Sequence, residues 1–382
     1  MLQLSAAALA AVTGPARRPV RAEWTNDGGA TWSLARVATA EVQPDRTAEC
    51  RYSGSAELVD VPLGAAGINV VTSELRLFQG VQGPRMDEPE WVPAGRYVVD
   101  RVARTRIGAR LELLGVEDSI RAAGFPVTRM IGPDSAAALA SALVGEARPG
   151  DGVAWRPGLD PTTVVPAFTA DDRWASLSGG TDTAGVSTGI AAALGGEVFA
   201  DARGVMTIGP VPTLADPVVW RIPYGVAVVE PAEEQSAEGL VNVWAISGDG
   251  GDGSPAVGPI YVWDDDPNSL TYAGPDPVGD PLAPQRLGLI GVRVRVDRYS
   301  SPLITTTGQA SDVGRAKLAD SLGVQSSLSF TAVCHPGLEP GDVVEVEVRP
   351  GEWQRHIIDS CPYTLGAAVM SCTTRTSARR LT

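Results

Sequence analysis

The chain is predicted to be mainly β with α/β insertions. Apolar and polar residues alternate with a period of two between Val20 and Asp118, and strand-like runs return after Ser326. Between them lies an Ala/Leu-rich stretch, Pro133-Asp-Ser-Ala-Ala-Ala-Leu-Ala-Ser-Ala-Leu-Val144, with Pro and Asp where a helix begins. At 382 residues the chain exceeds the size at which one core stops growing, so two to four structural units are expected. No apolar run reaches the roughly 18 residues that would span a bilayer.

The first element is Leu2-Gln-Leu-Ser-Ala-Ala-Ala-Leu-Ala-Ala-Val12. It has the apolar character of a signal peptide but lacks a positive n-region, and Arg17-Arg18 follow it. The residues predict a short amphipathic or fully covered helix ending before Gly14-Pro15, with no export implied. Arg21-Ala-Glu-Trp24 and Thr31-Trp-Ser-Leu-Ala-Arg-Val37 flank Asn26-Asp-Gly-Gly29, whose Asp-Gly step supplies the positive φ that a hairpin turn needs. Thr47–Ser53, Glu74–Phe78, Arg96–Asp100 and Arg110–Leu114 all alternate, and short strands divided by turns suggest a barrel or a sandwich.

After Asp118 the helix from Pro133 is followed by a second over Val186–Leu194, which stops at Gly195-Gly196. Glu197–Ile208 then reads as a hairpin turning at Asp201-Ala-Arg-Gly204. A third helix, Thr307–Gly323, sets Ala310, Val313, Leu318 and Leu322 on one face. Val343–Val348, Gln354–Asp359 and Ala367–Thr374 form a closing meander, and the last residues, including Arg375, Arg379 and Arg380, are expected to fray.

One internal echo crosses these segments. Glu90-Trp91, Arg96-Tyr-Val-Val-Asp100 and Leu111–Asp118 recur in outline as Glu352-Trp353, Arg355-His-Ile-Ile-Asp359 and Val369–Thr374. Such a repeat implies two related β-domains in one chain.

The formal charge of -14 and pI near 4.7 argue against wrapping nucleic acid, which needs clustered Lys/Arg to release counterions. Repulsion of DNA would suit the wall of a channel, and solubility alone also explains an acidic chain. Lys317 is the sole lysine among 31 basic residues, a bias that points to GC-rich coding and an actinobacterial host. Cys50, Cys334, Cys361 and Cys372 are too few and too irregular for a disulfide framework, which fits reduced, cytosolic assembly. Cys334-His335 and His356 with Cys361 match no short-loop zinc spacing.

Candidate chemistry is sparse. Gly185-Val-Ser-Thr-Gly189 fits G-x-S-x-G with both histidines downstream, but a nucleophile elbow needs an apolar strand before Ser187, and Gly179-Gly-Thr-Asp-Thr-Ala184 precedes it. Ser187 is better explained as a helix start. Gly248-Asp-Gly-Gly-Asp-Gly253 and Asp264-Asp-Asp266 are oxygen-rich, yet each is a single copy without the spacing of a calcium loop, so turn and solvated-loop readings are preferred. No carboxylate pair stands out among 45 acidic residues. Phosphate-cradling and dinucleotide fingerprints are missing from the sequence. No catalytic, cofactor-binding or metal residue is assigned, and no cofactor is implied.

A resemblance gives this pattern a context. Ala7–Gly14 with the basic residues after it, Asp45-Arg-Thr-Ala-Glu-Cys-Arg51, Trp91–Asp100, Ala192–Gly204 and Leu338-Glu-Pro-Gly-Asp-Val-Val344 occur in the order found in minor tail proteins of tailed actinobacteriophages. The stretch Glu238–Val344 adds Leu240–Ile246, Trp263-Asp-Asp-Asp-Pro-Asn-Ser269, Ser300–Ala310 and His335–Asp342. The chain thus resembles the tail-hub family, which is similar to baseplate hub proteins and to the N-terminal hub part of tail-associated lysins.

The resemblance implies phage tail-hub architecture: two related β-barrel-like domains per chain and a homotrimer whose six barrels make a pseudo-sixfold ring. Such a ring seats on a tail tube or distal tail protein and carries a tip fibre, spike or tape measure protein, leaving a DNA channel. The expected location is the distal tail tip of a siphophage-like virion, after assembly in the host cytoplasm. Residues 1–120 are expected to form the first barrel-like domain, 121–214 an α/β domain, 215–260 with 326–382 the second, and 261–325 an inserted loop and helix excursion. No enzymatic role is implied. The competing readings are a tail-delivered cell-wall or polysaccharide hydrolase and a carbohydrate-binding receptor module.

Overall fold

A computed structural model of the chain describes residues 2–179, 189–225, 228–236, 240–248, 256–267, 269, 271–280, 294–321 and 325–377. The apolar N-terminal stretch forms helix α1 (Ala6–Val12), capped by Ser5, whose side chain accepts the Ala8 N–H. Its buried Ala8, Ala11 and Val12 pack with Val81 and Val92.

Six strands follow: β1 (Val20–Thr25), β2 (Ser33–Pro44), β3 (Tyr52–Val59), β4 (Glu74–Val81), β5 (Glu90–Arg104) and β6 (Gly108–Gly115). They pair antiparallel in the order β1-β4-β5-β6-β3-β2, and β2 pairs back to β1, so the sheet closes as a six-stranded barrel. The period of two turns Leu75, Leu77, Tyr97, Leu111 and Leu113 inward, all essentially buried. The expected strand at Thr47–Ser53 begins only at Tyr52. Asp45 accepts both the N–H and the hydroxyl of Thr47, and this local turn outcompetes strand pairing.

An α/β unit comes next: α2 (Glu117–Ala122), β7 (Arg129–Ile131), β8 (Asp134–Ser135), α3 (Ala136–Ala147), β9 (Val153–Trp155), β10 (Val164–Val165), β11 (Phe168–Ala170), α4 (Arg173–Ser178), α5 (Ile190–Ala193), β12 (Gly196–Ala200) and β13 (Met206–Pro210). Helix α3 starts later than the Pro133 signal, because Asp134 and Ser135 pair with Val165 and Val164 before Ser135 caps it. Leu139, Leu143, Phe168, Leu177, Ile190 and Ile208 share its core. The predicted second helix is described only from Ile190, as residues 186–188 lie outside the described residues.

The second barrel-like sheet uses β14 (Val218–Ile222) and β15 (Val228–Ser236). The chain then leaves for β16 (Val243–Gly248), β17 (Val257–Trp263), β18 (Val296–Ser300) and α6 (Thr307–Ser321). It returns as β19 (Gln325–Val333), β20 (Val343–Arg349), β21 (Glu352–Ser360), β22 (Tyr363–Thr364) and β23 (Val369–Ser377). The segment Leu240–Ile246, which the expected bounds 215–260 put in the second barrel-like domain, does not join this sheet. As β16 it pairs with β17 and β18 under α6, around Ile246, Tyr299, Ile304, Ala310 and Val313. Gly314 permits the close approach, since a Cβ there would sit 2.6 Å from Val262 Cγ2. Leu322 and Gly323 lie outside the described residues. Arg375, expected in a frayed tail, is a β23 residue whose Nε lies 3.1 Å from Asp359 Oδ1.

The second sheet runs β14-β20-β21-β23-β19-β15. With the strands of each barrel numbered along the chain and β22 set aside, both sheets have the order 1-4-5-6-3-2. The echo between Trp91 and Trp353 falls on the fifth and sixth strands of each. Its register agrees in detail: Asp100 is the extra residue of a bulge in β5 against β6, and Asp359 is the extra residue of the corresponding bulge in β21 against β23. A bulge also interrupts the second strand against the third in both barrels, after Val37 and after Val229.

One strand differs. β1 lies antiparallel to β4, but β14 lies parallel to β20. A closing β14–β15 pair would therefore be parallel, and parallel neighbours need a crossover of about a dozen residues or more. Five residues, 223–227, separate Ile222 from Val228. The first barrel closes on itself through a hairpin. The second leaves β15 at the edge of its sheet, paired with β19 alone among the described residues.

The barrels meet through unlike patches. β22, in the connection between β21 and β23, adds to the far half of β2, with Glu41 opposite Thr364 and Val42 opposite Tyr363. Asp45 bridges Ser360 beside it. One apolar core runs through both barrels, from Leu58, Leu77 and Leu111 to Phe330, Val346 and Ile358.

Candidate functional site

Three of the patterned sequence segments converge where the barrels and the α/β unit meet. The turn before β3 brings Arg46 and Arg51, the β12–β13 hairpin brings Glu197, Phe199 and Asp201, and the connection before β20 brings Glu339, Pro340 and Asp342. Glu197 takes Arg46 Nε at 2.9 Å on one oxygen and Arg51 Nη2 at 2.7 Å on the other. Arg51 also donates to the Pro340 carbonyl at 3.4 Å, and its guanidinium lies 3.5 Å from the Phe199 ring centroid. Glu339 Oε1 accepts from the Tyr52 hydroxyl and from the Ala202 N–H, each at 3.4 Å, while Asp342 accepts the Glu339 N–H at 2.8 Å.

Glu117, at the start of α2, points into the same cluster. One oxygen accepts N–H groups of Ala200 at 2.9 Å and Arg51 at 3.3 Å, and the other has no partner among the described residues. Burial raises its pKa against these two donors, favouring the protonated carboxyl. Burial also acts upward on Glu197, but Arg51 and Arg46 outweigh it and hold that carboxyl below the usual range. Asp342 is raised, first by burial.

A second network ties the first barrel to the end of α3. Arg96 Nε meets Glu74 at 2.7 Å and its Nη1 meets Asp151 at 3.1 Å, while Arg148 reaches Glu74 at 2.9 Å, Asp151 at 2.5 Å and the Ser119 hydroxyl at 2.9 Å. Arg96 belongs to the Trp91–Asp100 segment. The β12–β13 turn rests on it, since a Cβ on Gly204 would stand 2.5 Å from Arg96 Cβ. Both networks pair opposite charges within the chain, and their chemistry is fastening.

The residues weighed for catalysis or metal binding fall elsewhere. Ser187 and residues 249–253 lie outside the described residues. His335, in the connection after β19, is fully buried with its ring 4.9 Å from that of Trp220, and neither ring nitrogen has a partner among the described residues. Burial pulls its pKa down to about 4. His356 Nδ1 lies 3.0 Å from the Thr374 hydroxyl and its Nε2 3.3 Å from Gln354 Oε1. Cys50, Cys334, Cys361 and Cys372 are free and buried; burial pushes Cys50 and Cys334 up to about 12 and the other two higher. Asp264 accepts the Thr271 hydroxyl at 2.7 Å and the Asp266 N–H, so its carboxylate closes a turn. Among the described residues, no group of three His, Cys, Asp or Glu side chains is placed to hold a metal ion.

Sequence reading marked the three converging segments without assigning a residue in them. The local hint is a charge set among apolar neighbours, as in Cys50-Arg51-Tyr52. Which carboxylate answers it, 146 positions away at Glu197, emerges only from the fold.

These features define a class: a mainly β chain with a closed six-stranded barrel, a second sheet of the same strand order, and an α/β unit locked to the barrels by buried ion pairs. No family model and no curated protein matches the sequence. Solved structures do share the fold. A tail protein from Neisseria meningitidis is 10% identical with a TM-score of 0.56, over 94% of this chain and 97% of that one. The prophage tail protein gp18 from Listeria monocytogenes is 10% identical with a TM-score of 0.52, over 94% and 95%. The 43 kDa tail protein of prophage MuSo2 from Shewanella oneidensis is 13% identical with a TM-score of 0.51, over 93% and 98%.

Proposed function

We propose that this chain is a structural minor tail protein of a siphophage-like virion, forming a homotrimeric hub at the distal tail end. The observation that carries the reading is the duplication: two barrels of one strand order, joined through unlike patches, in a fold shared with tail proteins. Three chains would present six similar barrels, matching a sixfold tube or distal tail ring on one side and a threefold tip fibre, spike or tape measure protein on the other. In this reading residues 1–120 and the strands from 215 that resume at 326–382 build the ring. The α/β unit and the β16–α6 excursion carry contacts to tail neighbours. The charge of -14 supports a lumen that lets DNA slide without holding it.

Imaging of tail particles with this protein labelled is the direct test. Density at the distal tail end, together with a trimeric mass for the purified protein, is expected. A monomer that hydrolyses host envelope polymers would instead support the hydrolase reading, and a monomer that binds host cells in isolation would support a receptor module.

A further inference from the structure

The connection that joins the two barrels has a pair of facing thiols at its base. Ser360 of β21 stands opposite Thr373 of β23, and the Ser371 N–H donates to the Pro362 carbonyl at 3.2 Å. Between these two pairings lie Cys361 and Cys372, opposite each other in the same register. The Cys361 N–H turns the other way, to the Pro44 carbonyl at 3.0 Å, so the two cysteines occupy a non-hydrogen-bonded position of the antiparallel ladder. Such a position brings Cα atoms to about 4.5 Å and sends both side chains to one face. That face is the interior: both cysteines are buried in the core shared by the barrels, and both are free thiols.

We propose that Cys361 and Cys372 are a modification site, joined as a single disulfide when the chain meets glutathione disulfide. Bridged cysteines have Cα atoms about 4.4–6.8 Å apart, a span the sheet pairing already supplies. The other two thiols are placed differently. Cys334 donates its N–H to the Ala368 carbonyl at 2.8 Å, four positions along the chain from Cys372 and so roughly 13 Å away, while Cys50 lies in the turn before β3. In the first step the thiolate of one cysteine attacks a sulfur of glutathione disulfide, forming a mixed disulfide and releasing one glutathione thiolate. The thiolate of the other cysteine then attacks the protein-side sulfur and releases the second. Two protein thiols are oxidised, one glutathione disulfide is reduced, and the two thiol protons pass to the leaving thiolates. Burial confines this exchange to the folding chain or to an opening of the connection, and it shields the finished bond from reductant equally well. The loop so closed, residues 362–371, carries β22 and the Leu365 N–H that donates to the Ala40 carbonyl at 2.8 Å. Oxidation therefore fastens the joint between the barrels. The inference goes beyond the tail reading and stands on the strand pairing alone.

The test folds the full chain from denaturant in reduced or in oxidised glutathione, blocks the remaining thiols with iodoacetamide under denaturing conditions, and maps the peptides by mass. Trypsin leaves Cys361 and Cys372 together in the peptide His356–Arg375, which contains neither Cys50 nor Cys334. From the oxidised chain this peptide is expected unalkylated and two hydrogens short of its free-thiol mass, with Cys50 and Cys334 alkylated. Cleavage at Met370, which lies between the two sulfurs, should give halves that separate only on reduction. The oxidised chain should melt roughly 5 °C above the reduced one. Cys361→Ala and Cys372→Ala should each erase that difference, and because each variant is compared with itself in two redox states, a lower absolute stability leaves the result readable. If a variant fails to fold, the Met370 cleavage of the parent decides alone. Alkylation of both cysteines in the oxidised, folded chain would overturn the proposal, as would a bond from either one to Cys334, to Cys50 or to a second chain.

Discussion

His335 shows what a single buried group does to the whole. Its pKa, near 6.5 in an unfolded chain, is pulled to about 4 by burial against Trp220, with Arg18 acting in the same direction. The neutral ring is the form the fold accepts. Its contribution is intact above pH 6.5 and is lost progressively as pH falls toward 4, the cost reaching about 3 kcal/mol where the ring is protonated in the folded chain too. Urea midpoints measured between pH 7 and 4 should fall less steeply in His335→Phe than in the parent. Arg51 belongs at the same scale. Replacing it by Ala strips Glu197 of one of two partners and the Phe199 ring of the nearer of two cations, a loss of about 3 kcal/mol in denaturant titrations. The four thiols carry a kinetic expectation: with burial holding each well above its ordinary pKa, a thiol reagent at about pH 8 should react with them only at the rate of unfolding.

At the scale of elements, much was legible because local chemistry and fold agree. Asn26-Asp-Gly-Gly29, Gly195-Gly196 and Asp201–Gly204 mark turns by the φ they need, and the alternation in β4, β6 and β20 marks a buried face. Asp45-Arg-Thr47 misled, since an aspartate turn and a strand start share a composition. The placement of β16 was unreadable for a different reason. A half-buried strand of period two looks the same whichever sheet it joins, and its partners β17 and β18 are chosen by α6 packing from the other side. The ion networks stayed hidden because each bond joins distant segments. Gly204 is both legible and decisive: its φ is +78° and its hydrogen faces Arg96, so Gly204→Ala should cost about 1–3 kcal/mol, read as a lowered melting temperature.

The whole molecule is a duplicated frame with parts hung on it. The largest excursion leaves after Ser236 and returns at Gln325, and these two residues are partners in the β15–β19 ladder. Directly paired residues lie about 5 Å apart, so a short turn can replace residues 237–324. A chain so shortened should keep the strand content of both barrels by circular dichroism, while losing the cover that Gln309 gives the end of α5 through the Ala193 carbonyl. Unfolding of both barrels in the shortened chain would show that the excursion is integral to them.

β22 on β2 has a further consequence. Because one barrel gives a strand edge and the other gives a connection, no twofold axis can exchange them; the step from barrel to barrel is a rotation with a sense, like successive treads of a stair. Any body built by repeating that step has a top unlike its bottom. A part of this kind needs no extra marker to tell the two ends of an axis apart, because the distinction is already written into how its first two barrels touch.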